Sequence, residues 1–130
     1  MRTAATLFVD LLLAVLSGTP LRQAVAAQIA AQKNPLMGHP FMKWLTEADE
    51  RVVGQRLSTA CYVESSVPAV VYIALKYHDN PEAALIVNTH LGGDNAGRGA
   101  VLGALVGAAN GFEGFPPRWV ESLVNPPPDL

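Results

Sequence analysis

The stretch Leu91-Gly92-Gly93-Asp94-Asn95-Ala96-Gly97-Arg98-Gly99 runs without a break into Ala100-Val101-Leu102-Gly103-Ala104-Leu105-Val106-Gly107-Ala108-Ala109-Asn110-Gly111. Two glycines and a carboxylate precede a segment in which glycine recurs at Gly99, Gly103, Gly107 and Gly111. Alanine lies beside that series at Ala100, Ala104 and Ala108. Residues four apart share a helix face, so the spacing predicts a helix over about 94–109 with a strip of small residues along it. Glycine inside a helix costs about 1 kcal/mol relative to alanine. The repeated glycines therefore predict close approach by a neighbouring helix, with Asp94 and the glycine turn at the buried N-terminal end.

Upstream, the punctuation is that of further helices. Asn80-Pro81 joins a capping side chain to a first-turn proline and predicts a helix over 81–89. Pro68 predicts a helix start near 67, running to about 77. Val53 to Ser66 reads mostly as loop, and 41–52 as one amphipathic helix. Thr19 as N-cap and Pro20 at the first helical position open a helix over 20–32, which Asn34-Pro35 ends. The first helix spans about 3–17, with Leu7, Leu11 and Val15 at helical spacing. Downstream, Pro116-Pro117 opens a short helix to about Val124. No segment alternates as a strand would. The expected fold is an all-α helical bundle over 1–124 with a proline-rich tail over 125–130.

A chain of 130 residues holds at most one domain. With 50% apolar and 15% charged residues it suits a well-buried helical core, and a net charge of −2 gives no reason to expect nucleic acid or an anionic membrane as partner. Cys61 stands alone, which excludes an intramolecular disulfide, favours a reducing compartment and reads as a buried structural thiol. Met1-Arg2, the apolar run Ala4 to Leu16 and the small residues Ala24-Val25-Ala26 outline a signal peptide over 1–26. Asp10 inside the run favours a buried helix instead, and the expected location is cytoplasmic. No apolar run approaches the ~20 residues of a membrane span.

Read from the residues alone, Asp94 is a helix cap, because a carboxylate there satisfies free N–H groups and suits the helix dipole. A glycine turn at a helix start can also receive a phosphate or ribose oxygen on its N–H groups, which makes Gly92, Gly93 and Asn95 candidate ligand contacts. The Gly-Lys-Ser/Thr of a P-loop is missing, since Arg98 follows Gly97. His90 lies four residues before Asp94 and reads as a polar loop residue, with the border of a pocket at the turn as the alternative. His39 reads as a turn residue and His78 as a helix end. Ser65 and Ser66 have no His/Asp pattern beside them. Glu47, Asp49 and Glu50 read as a solvated helix face, and Trp44 and Trp119 as packing.

The segment from Gly92 to Gly111 resembles, without gaps, the C-terminal signature of the ADP-ribosylglycohydrolase family. That signature is Gly-Gly-Asp-Thr-Asp-Thr followed by a small-residue helix. Gly92, Gly93, Asp94, Gly103, Ala104, Gly107, Ala108 and Gly111 fall on family positions. Cys61-Tyr62-Val63-Glu64-Ser65-Ser66-Val67-Pro68-Ala69 is similar to the family's Gly-Tyr-Val-x-x-Ser-x-Pro-x-Ala, and the likeness covers about 53–119. The resemblance implies the C-terminal half of that helical fold. It implies metal-dependent hydrolysis of the glycosidic bond to ADP-ribose, with Mg²⁺ as cofactor and ADP-ribose or an ADP-ribosylated substrate as partner. It makes Asp94 a magnesium ligand and Gly92, Gly93 and Asn95 substrate contacts. Two metals in such enzymes orient the ribose hydroxyls and the attacking water.

The departures from that pattern set the remaining expectations. Ala96 and Gly97 stand where the family has its second aspartate and following threonine, so neither offers a side-chain oxygen. Asn95 is a neutral ligand, and Arg98 brings positive charge to the same place. There is no Thr-Asp-Asp, and no Gly-Asp near the start. The expected magnesium site is weak or incomplete. The expected protein is a fragment or truncated member that self-associates or requires an N-terminal half. The alternative is a non-catalytic helical module that binds a ligand or another chain.

Overall fold

The computed structural model describes residues 2–125. Among them it forms eight α-helices: α1 (Arg2–Leu16), α2 (Leu21–Ala31), α3 (Phe41–Trp44), α4 (Asp49–Val52), α5 (Val63–Lys76), α6 (Pro81–His90), α7 (Asn95–Asn110) and α8 (Pro117–Glu121). Single 3₁₀ turns lie at Pro35–Met37 and Phe112–Gly114, and the described residues contain no strand. The expected all-α class is the observed one. Of the proline-rich tail, 126–130 lie outside the described residues.

The apolar pattern explains the arrangement. Ala69 to Leu75 are buried on every side of α5, as a helix without a polar face must be. Helix α7 packs on α6, α5 and α1, and α2 closes against α1 and α5. Helix α1 divides the apolar N-terminal run into two faces. Leu7, Leu11 and Val15 enter the core, while Val9, Leu13 and Leu16 are exposed. No described helix is long and apolar enough to cross a membrane.

The small-residue strip of α7 faces its neighbours, but the close helix approach predicted for it is met at Gly99 alone, while Gly103 and Gly107 leave room for ordinary contact. A Cβ on Gly99 would stand 3.2 Å from Asn88 Nδ2, one on Gly103 3.9 Å from Leu85 Cδ2, and one on Gly107 3.4 Å from the Phe115 ring. Asn80 caps α6, its Oδ1 accepting from the Ala83 N–H at 3.0 Å.

Several boundaries differ from the sequence reading. The segment 41–52 is two one-turn helices, not one helix. The Glu47 carbonyl, which a continuous helix would give to the Arg51 N–H, accepts from Lys76 Nζ at 2.8 Å, and Arg51 N–H goes to Ala48 instead. Helix α5 starts at Val63, because Ser65 and Ser66 donate backbone N–H groups to the Tyr62 carbonyl and build a turn ahead of Pro68. Proline removes one helix hydrogen bond, and burial of Pro68 in the core offsets that loss. Thr19 is not the cap of α2, whose N-cap is Pro20 with no side-chain bond. Helix α8 ends at Glu121, short of Val124. Cys61 is exposed rather than buried, since it lies in the loop ahead of α5.

Candidate functional site

The turn before α7 is built on two consecutive left-handed glycines, Gly92 at φ 68° and Gly93 at φ 63°. At Gly93 glycine is also required by space, since a Cβ there would lie 2.1 Å from the Thr59 carbonyl oxygen. That oxygen accepts from the Asp94 N–H at 2.9 Å and from Arg98 Nη1 at 3.0 Å. The loop ahead of α5 is thereby fastened to the start of α7.

Arg98 organises the turn from inside. It is only 2% exposed. Its Nε donates to Asn88 Oδ1 at 3.0 Å, and its Nη2 to the Gly92 carbonyl at 2.6 Å and more weakly to the Asn88 carbonyl at 3.5 Å. Asn88 in turn donates to the Asn95 carbonyl at 2.8 Å. Burial lowers the Arg98 pKa and the nearby Asp94 charge opposes that effect. The two side chains nonetheless form no direct ion pair. The sequence puts a positive charge here, and the fold turns that charge inward to hold the Thr59 and Gly92 carbonyls. The signal was present: Arg98, Leu102 and Leu105 share one helix face, and that face is the buried one.

Asp94 is the N-cap of α7, with Oδ1 accepting from the Gly97 N–H at 3.3 Å. A Cβ at Gly97 would approach Asp94 Oδ2 to 2.7 Å, so the carboxylate leans across a position that must stay small.

The start of α7 separates two cavities. One, of about 440 Å³, lies between α6, α7 and Trp119 and is lined by Asn88, Thr89, His90, Asn95 and Gly99 among others. The other, of about 230 Å³, lies between α1, α5 and α7. Its wall is mostly apolar, with Leu7, Phe8, Leu11, Val67 and Val101, and its polar lining is Ser66, Asp94 and Arg98. Of the sequence-predicted contacts, Asn95 lines the first cavity and Asp94 the second. Gly92 and Gly93 line neither, and the Gly92 N–H is used by the Thr89 carbonyl at 3.1 Å. His90 borders the first cavity, while His39 packs against the Trp44 ring at 5.2 Å.

A second polar cluster lies elsewhere. Asp49 accepts from Tyr72 and Tyr77 hydroxyls at 2.6 Å each and from Lys76 Nζ at 2.8 Å. Burial alone would raise the Asp49 pKa, but the bonds from Lys76, Tyr72 and Tyr77 and the Lys76 charge hold it below the usual value. Burial, with the Asp49 bond, pushes the Tyr77 hydroxyl up to about 12 and raises that of Tyr72. The expected solvated acidic face is therefore wrong for Asp49. Breaking 41–52 into two helices turns this residue inward, where it fastens α4 to α5.

Comparison with known families decides the relationship. The family pattern described as ADP-ribosylglycohydrolase matches residues 2–129. The chain belongs to the ADP-ribosylglycohydrolase family. That match extends well beyond the 53–119 legible by eye and takes in α1 and α2. No curated protein and no solved structure matches the chain.

The magnesium implied by this ADP-ribosylglycohydrolase membership does not fit the residues around Asp94. Magnesium requires hard oxygen donors in octahedral array. Ala96 and Gly97 supply none from their side chains. The Thr59 and Gly92 carbonyls are already held by a buried guanidinium. The described residues contain no cluster of three or more His, Cys, Asp or Glu able to hold a metal ion.

Proposed function

We propose that this chain binds an ADP-ribosyl group in the cleft between α6, the start of α7 and Trp119, without completing a hydrolytic magnesium centre from its own residues. The observation that carries the reading is the position of that cleft at the N-terminus of a 16-residue helix in a member of this family. Helix N-termini favour phosphate through their free N–H groups and dipole. The Asn95 amide, the Thr89 hydroxyl and the His90 ring offer hydrogen bonds to ribose and phosphate oxygens, and Trp119 offers a face for a base. A volume of about 440 Å³ falls within the usual range for small-molecule sites.

Titration calorimetry with ADP-ribose, in magnesium and in EDTA, tests this. Binding should persist in EDTA. Trp119→Ala should weaken it by about ten-fold or more, the worth of stacking one base. Absence of binding at millimolar ligand would overturn the reading. The match of Gly92-Gly93-Asp94 to the family signature favours a second reading, metal-dependent hydrolysis by a truncated member. Magnesium-dependent release of ADP-ribose from a modified protein, abolished by Asp94→Ala, would establish that reading instead.

A further inference from the structure

The smaller cavity shares no lining residue with the cleft assigned to the ADP-ribosyl group, and its lining specifies a ligand of a different kind. Ten apolar residues of α1, α5 and α7 form its wall, and its polar side chains are Ser66, Asp94 and Arg98. Those groups have unused capacity. Asp94 accepts one bond, on Oδ1, and Oδ2 accepts none. The Ser66 hydroxyl has no partner among the described residues. A guanidinium carries five N–H donors. Arg98 spends one from Nε, one from Nη1 and two from Nη2, which leaves one N–H on Nη1.

Charge narrows the choice. Asp94 and Arg98 both line the cavity, carry opposite charges and form no direct ion pair. A cationic ligand is opposed by Arg98 and an anionic one by Asp94, so an uncharged group that both donates and accepts is the complement. A primary carboxamide is such a group: its NH₂ can donate to Asp94 while its oxygen accepts from Arg98 or Ser66. Size narrows it further. An apolar cavity of about 150 Å³ holds a benzene ring, and the roughly 230 Å³ here leaves room for one ring with a small substituent.

We propose that this cavity is a binding site for a neutral single-ring carboxamide, with the ring between Phe8, Leu11, Val67 and Val101 and the amide at Asp94, Arg98 and Ser66. The cavity is separate from the ADP-ribosyl cleft, so either assignment can fail without the other.

Ligand-observed NMR and thermal-shift titration with benzamide, toluene, benzoate and benzylamine test the proposal. Benzamide should bind, and each of the others should bind roughly ten-fold more weakly, the loss expected from one charge-assisted hydrogen bond or from a like charge. Val101→Phe should fill the cavity and abolish benzamide binding. Ser66→Ala, which removes a hydroxyl with no partner in the fold, should weaken it several-fold without lowering the melting temperature. Equal binding of toluene and benzamide would overturn the amide assignment. Benzamide binding unchanged in both variants would overturn the site. If Val101→Phe does not fold, the Ser66→Ala titration and the ligand series decide alone.

Discussion

Asp49 takes three side-chain hydrogen bonds, from Tyr72, Tyr77 and Lys76, whereas Asp94 takes a single long one from a backbone N–H. Both aspartates stand at the start of a helix, and both have a basic residue nearby. At Asp49 the lysine reaches the carboxylate at 2.8 Å. At Asp94 the arginine turns away and spends its bonds on carbonyl oxygens and Asn88. The difference separates an aspartate that holds the fold from one that the fold holds. Groups with their hydrogen bonds filled are structural, and groups with spare capacity beside a cavity are available to a ligand.

The largest effect should come from the turn's backbone rather than from either carboxylate. Gly93→Ala would force a Cβ into the Thr59 carbonyl at a left-handed position, so a loss of about 4 kcal/mol or failure to fold is expected. A melting temperature near that of the parent would show that the loop ahead of α5 yields easily and that Arg98 alone orders the turn.

Asp49→Asn should cost about 2–3 kcal/mol, because it leaves Lys76 without its anion in a part-buried site. The same group sets an acid limit. Its folded pKa is depressed, so its contribution is complete above the unfolded value of about 4 and is lost as pH falls through the lower folded value. At the other end, Tyr77 is raised to about 12. Its contribution is present below the unfolded value of about 10 and lost as pH rises toward 12. Urea unfolding across pH should show both edges in the parent and a weakened acid edge in Asp49→Asn. Identical acid profiles would remove Asp49 from its structural role.

Asp94→Ala should cost only about 1 kcal/mol, the usual worth of an N-cap. A loss larger than that of Asp49→Asn would reverse the comparison. The smallest effect is expected at the strip of small residues. A Cβ on Gly103 meets only ordinary contact with Leu85, so Gly103→Ala should stabilise by roughly 0.5–1 kcal/mol through helix propensity. Destabilisation would mean that α6 and α7 pack more tightly there than the 3.9 Å gap implies.

The parts of the fold legible in the sequence are those fixed by local chemistry. Asn80-Pro81 marked a helix start because cap and proline act within one turn. The glycine period marks the face that Gly99 and Gly103 turn toward α6, because a helix face repeats at that spacing. The parts that were not legible depend on distant partners. The break within 41–52 follows from Lys76 taking the Glu47 carbonyl, and local propensity carries no trace of it. Pro68 predicts a helix start because proline favours the first turn, yet backbone bonds to Tyr62 carry α5 upstream. At the candidate site, the turn motif alone points to Asp94 and Asn95. Their separation into two cavities, and the Ser66 and Arg98 groups that accompany Asp94, required the packing of α1 and α5 against α7.

The Thr59 carbonyl serves both the Asp94 N–H and Arg98, and its bond to Arg98 spans 39 residues of chain. A helix start secured in this way cannot mature from local sequence alone. Helix α7 carries four interior glycines, which disfavour it in isolation, and its first turn gains its bonds to Thr59 only when the segment ahead of α5 has docked. The same dependence runs in reverse on unfolding. Release of the Thr59 loop would uncover the Asp94 amide and loosen Arg98 together, so the edge of both cavities opens as one cooperative unit.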